Sequence, residues 1–219
     1  MLKIDVYNHI FPRKYFDRMV EVMPHHKDIG KRVRGVPVLM DLDLRFAMLE
    51  EFGDDYRQVL SIAAPPLEAL GGPEISSELA RIANDEMAEL VSRHDRFVGF
   101  VAALPLNDVD ASLAEVNRAV TELGANGVQM FTNVNGKPLD SPELLPLFAL
   151  MSEYDLPIWV HPARKASFSD YPEVEEKSKY EIWWTFGWPY DTSAMMARLV
   201  FAGYFDRFPN LKVITHHMG

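Results

Sequence analysis

The sequence predicts an α/β fold, and within that class a (β/α)8 TIM barrel of which about six β/α units lie in these 219 residues. Three observations carry this expectation. Short apolar or β-branched runs alternate six times with longer amphipathic stretches, a pattern that specifies parallel strands joined by helical crossovers. Neither Gly-x-Gly-x-x-Gly after the first strand nor Gly-x-x-x-x-Gly-Lys occurs, so the usual phosphate cradle of an open doubly wound sheet is missing. Two further units would bring the chain to ordinary barrel size, and the last residue follows directly on the sixth strand. The expectation is one domain over 1–219, cut short after strand six.

The strands are predicted at 3–9, 57–63, 97–103, 127–131, 157–161 and 212–217. Between them, 41–52 places Leu42, Phe46 and Leu49 on one helical face, and 73–94 begins with Pro73 at a first-turn position. Ser141-Pro142-Glu143 opens a further helix in N-cap, N1, N2 order, and 192–208 reads as the last helix. Gly71-Gly72 and the polar, aromatic stretch 166–188 read as loops over the barrel mouth.

Composition removes several function classes. No stretch approaches the roughly 18 apolar residues of a membrane span, and residues 1–5 lack the apolar core of a secretory signal, so a cytoplasmic protein is expected. With no cysteine, a metal must be held by His, Asp or Glu. A net charge of −10 has the wrong sign for binding nucleic acid, and an anionic small-molecule substrate would need a local arginine.

Three of the six strands end in histidine: His9, His161 and the pair His216-His217. A single strand-end histidine is more often a core residue than a ligand. Four of seven histidines at ends that converge on one mouth instead suit a divalent metal, such as zinc, that activates water or polarises a substrate oxygen. His25, His26 and His94 read as surface residues.

The blocks Asp-Val-Tyr-Asn-His-Ile-Phe-Pro at 5–12, Gly-Val-Gln-Met-Phe-Thr-Asn-Val-Asn-Gly at 127–136, Ile-Trp-Val-His-Pro at 158–162 and Phe-Pro-Asn-Leu-Lys-Val-Ile-Thr-His-His-Met-Gly at 208–219 resemble the amidohydrolase-related family, in its branch around aminocarboxymuconate-semialdehyde decarboxylase. The resemblance implies a metal-dependent barrel, usually with zinc, that decarboxylates a small unsaturated or aromatic carboxylic acid. Hydrolysis or hydration is the neighbouring alternative, and a metal-free barrel with a binding role is a third. The family's first-strand motif, His-x-His or Glu-x-His, aligns His9 with its second ligand and puts Tyr7 in the place of the first; His161 matches the strand-five ligand. The resemblance makes His217 the proton-transfer residue, with His216 facing the other way by strand alternation. The family's fourth ligand, an Asp at the end of strand eight, has no counterpart in the sequence. Arg45 and Trp184 resemble positions that contact the substrate carboxylate and flank the pocket; a solvated helix charge and a subunit-interface aromatic are their alternatives, the latter with a homo-oligomer.

Overall fold

The computed structural model describes residues 1–23, 35–62 and 64–217; His25 and His26 lie outside them. The chain forms two compact units, Met1–Val128 and Gln129–Gly219. Among the described residues no helix is long and apolar enough to cross a membrane.

In the first unit, β1 (Lys3–Asp5), β2 (Tyr56–Leu60) and β3 (Phe97–Phe100) form a parallel sheet in that order, with Ile4 opposite Arg57 and Val59 opposite Gly99. The first strand is shorter than the predicted 3–9. The Asp5 carboxylate accepts from Tyr7 N at 2.9 Å and the Asn8 amide donates to Val59 O at 2.8 Å, so local side-chain bonds replace the ladder. The chain returns to the strand direction at Ile10, which bridges Ile62. Gly99 is required on β3, because a Cβ there would come within 1.8 Å of Asn126 Oδ1, which accepts from Phe100 N.

Among the described residues of the first unit two helices escape the pattern reading, α1 (Arg13–Val22) and the later Val109–Thr121, and in the second unit a short helix, Ile182–Thr185, falls in the stretch expected as loop. Val109–Thr121 is capped by Asp108, whose carboxylate accepts from Ala111 N at 3.0 Å. Between α1 and that helix, α2 (Leu42–Glu51) is capped in the same way by Asp41, and α3 (Pro73–Arg93) buries Leu79, Ala80, Ala83 and Met87. On α2 the deepest residues are Arg45 and Leu49 rather than the expected Leu42 and Phe46. His94 is a correction too: it is half-buried, its ring 4.8 Å from Phe46 and 5.8 Å from Phe97.

In the second unit, Val128–Phe131, Pro157–His161 and Lys212–Thr215 lie side by side, the last two parallel with Ile158 opposite Val213. Pro142–Leu144 is a 3-10 turn leading into helix Leu145–Glu153, and Ser141 makes no side-chain cap, contrary to expectation. The expected helix 192–208 is two helices, Gly187–Phe201 and Tyr204–Arg207. Gly203, at φ +75, turns the chain between them, a conformation glycine adopts without a Cβ penalty.

Candidate functional site

In the first unit, His9 follows the shortened first strand. Its Nδ1 lies 3.0 Å from Ser61 Oγ, and that hydroxyl gives its one proton to Asn8 O at 2.8 Å. Ser61 must therefore accept from His9, which fixes the proton on Nδ1 and places the lone pair on Nε2.

His161 closes its strand in the second unit and is 2% exposed. Its Nδ1 lies 2.8 Å from Pro162 O, and a carbonyl can only accept, so this imidazole too carries its proton on Nδ1 and its lone pair on Nε2. His217 Nε2 lies 2.9 Å from His161 Nε2, so one of these two nitrogens carries the proton they share. Partial burial holds the His217 pKa below the ordinary histidine value and keeps the ring neutral near pH 7. Trp188 closes the cluster with ring centroids 5.3 Å from His161 and 4.6 Å from His217, and its Nε1–H donates to Arg164 O at 3.1 Å. Behind His161, Ala163 N donates to Thr132 Oγ1 at 2.9 Å, and the Thr132 hydroxyl is itself bound to Asp191.

Taken separately, His9 and His161 each have a polar partner on Nδ1 that orients the ring, an arrangement that suits ligation of a divalent metal through Nε2.

Several expected residues fall elsewhere. Arg45 is 2% exposed and spends its donors within the protein: Nε on Gln58 Oε1 at 2.9 Å, Nη1 on His9 O at 2.8 Å and Val38 O at 3.4 Å, and Nη2 on Asn8 Oδ1 at 2.6 Å. Burial pulls its guanidinium down to about 10, against the opposing pull of the Asp5 carboxylate. It anchors the His9 turn and is not placed as an open carboxylate receptor. Tyr7 lies beyond the end of β1 and is 55% exposed, so strand alternation does not aim it alongside His9. Trp184 donates to Glu181 Oε2 at 2.7 Å and reaches the cluster through Trp188, whose ring is 6.0 Å away; Trp188 is the indole that meets the imidazoles. The opposite-face expectation for His216 fails as well. The strand stops at Thr215, His217 takes a left-handed φ of 57°, and both rings lie near His161, with centroids at 5.4 and 4.7 Å. His216 is the deeper of the two, and burial, with a smaller contribution from the charge on His217, depresses its pKa to about 4.

Ser61 and Trp188 are the residues that sequence reasoning undervalued. Nothing in the sequence marks Ser61. Trp188 was visible as one of three tryptophans in an unusually aromatic loop.

Comparison with known proteins places this geometry. The chain is 31% identical to 2-amino-3-carboxymuconate-6-semialdehyde decarboxylase of Dictyostelium discoideum over its whole length, covering 63% of that protein. It is 34% identical to gamma-resorcylate decarboxylase of Rhodococcus jostii, with 83% of the chain covering 57% of the relative. A crystal structure of dihydroxybenzoic acid decarboxylase from Polaromonas sp., with bound manganese and the inhibitor 2-nitroresorcinol, matches all of the chain and 66% of its own length, with a TM-score of 0.78 and 27% identity. The chain thus spans about three fifths of the length of the curated relatives it matches. The fold class is the one that strand–helix alternation predicts, α/β of the (β/α)8-barrel type. The amidohydrolase family model runs from residue 4 to residue 219 and takes in both histidine-bearing turns, so the chain belongs to the amidohydrolase family.

Proposed function

We propose that this chain serves a metal-dependent decarboxylase of a small aromatic or unsaturated carboxylic acid. The observation that carries the reading is the oriented imidazole pair His161 and His217, set against Trp188 at a strand end, in a family whose curated relatives compared above are decarboxylases. His9 and His161 are the proposed metal ligands. A divalent ion bound there would supply electrophilic polarisation of a substrate oxygen. Manganese in the Polaromonas relative supports a divalent ion and leaves zinc as one candidate among others.

When the carboxylate leaves as carbon dioxide, the bonding electron pair stays on carbon and a proton must replace the lost group. His217 is the proposed relay: it takes a proton from solvent water on one ring nitrogen and delivers one to that carbon from the other, ending neutral and leaving hydroxide in solvent. The Trp188 ring gives a flat substrate an apolar wall and limits water, and Trp184 flanks it. Arg45 acts at one remove by holding the Asn8-His9 turn. The continuous family match supports a single domain, and exposed Phe186, Tyr190 and Phe201 support a homo-oligomer.

Carbon dioxide release from 2,6-dihydroxybenzoate, measured before and after chelation and manganese or zinc restoration, tests the reading. Metal-dependent release that His217→Asn abolishes, with the thermal midpoint retained, is the expected result. Water addition or amide hydrolysis without carbon dioxide would favour the hydratase or hydrolase alternative, and no turnover of any kind would favour a binding role.

A further inference from the structure

Arg164, three residues beyond His161, differs from the other arginines that have no carboxylate partner among the described residues: Arg57 bonds backbone carbonyls and Arg207 is exposed, whereas Arg164 has a buried guanidinium nitrogen without a hydrogen bond. Arg13, Arg18, Arg93, Arg96, Arg118 and Arg198 each hold a carboxylate, and Arg45 is committed inside the protein. Among the described residues Arg164 has no ion pair, and its Nε is buried without a hydrogen-bond partner. Its side chain has a formed seat nonetheless. The guanidinium carbon lies 5.5 Å from the Phe168 ring centre, and a Cβ at Gly187 would meet Arg164 Cδ at 2.6 Å and Nε at 2.8 Å. The Arg164 carbonyl accepts from Trp188, the indole that packs on His161 and His217. A buried, unpaired guanidinium N–H is costly, and in a chain of net charge −10 an unneutralised arginine beside the candidate site calls for an anion.

We propose that Arg164 binds an acidic substituent of the substrate that survives the reaction, so that the preferred substrate is an aromatic acid carrying a second anionic group. The proposal rests on the decarboxylase reading of this site. A cation paired with the departing carboxylate would stabilise the ground state more than the transition state, because negative charge leaves that group as the carbon–carbon bond breaks. A cation on a retained group binds both states alike and fixes the ring, which is a positioning role.

The test is a tryptophan-fluorescence titration of the full chain with isophthalate and with benzoate, a readout independent of turnover. Isophthalate is expected to bind about ten-fold or more tightly, as a bidentate charge-assisted pair gives. Arg164→Met should erase that margin while keeping the stem on Gly187, and Arg164→Lys should retain part of it. Equal binding of the two acids by the unsubstituted chain, or a margin that persists in Arg164→Met, overturns the proposal. Should Arg164→Met fail to fold, an undiminished margin in Arg164→Lys overturns it and a reduced margin supports it. An intact margin without carbon dioxide release would instead sink the decarboxylase reading and leave the anion site standing.

Discussion

His9 and His161 reach the same protonation pattern by different means. His9 is held by side chains: Ser61 takes its Nδ1 proton, Asn8 braces the turn, and Arg45 ties both to Gln58. His161 is held by a backbone carbonyl and by rings, with Pro162 O taking the Nδ1 proton and Phe131, His216, His217 and Trp188 around it. The first arrangement concentrates its cohesion in a few polar bonds that single substitutions can remove. The second spreads it over dispersion contacts and a carbonyl that no substitution deletes.

The largest expected effect is on the polar side. Arg45→Met leaves Gln58 Oε1, Asn8 Oδ1 and the His9 carbonyl without their donor, which should cost about 3–5 kcal/mol in urea denaturation. A loss below 1 kcal/mol would show that water replaces the guanidinium and that the polar network is not what holds His9.

Next in size is Ser61→Ala. Without the hydroxyl the Nδ1–H tautomer of His9 loses its enforcement, and metal affinity should fall about 10–100-fold in a competition titration while the fold persists. An unchanged affinity would break the comparison, since His9 would then be oriented by something other than Ser61.

The smallest effect belongs to the aromatic side. Trp188→Phe keeps an aromatic ring beside His161 and His217 and removes the hydrogen bond to Arg164 O, so about 1 kcal/mol of stability should be lost by thermal or urea unfolding. A loss as large as that of Arg45→Met would mean that the indole bond, and not distributed ring packing, organises the second cluster.

By itself the sequence determined the fold class and the strand-end histidines. Period-two apolar runs alternating with amphipathic stretches leave few solutions other than parallel strands with helical crossovers, and a histidine that closes such a run sits at a strand end whatever the loops do. Sequence also marked the aromatic stretch at 183–188 as unlike ordinary connecting loop. Tertiary structure decided the rest. Strand alternation could not separate His216 from His217, because the strand stops at Thr215 and a left-handed residue brings both rings toward His161. It could not align Tyr7 with His9, because Asp5 and Asn8 end the first strand with side-chain bonds. Charge patterning could not tell Arg45 from Arg164: one guanidinium is sunk among carbonyls and amides and the other is seated without an acid, and whether a cation is spent or available depends on neighbours distant in the chain.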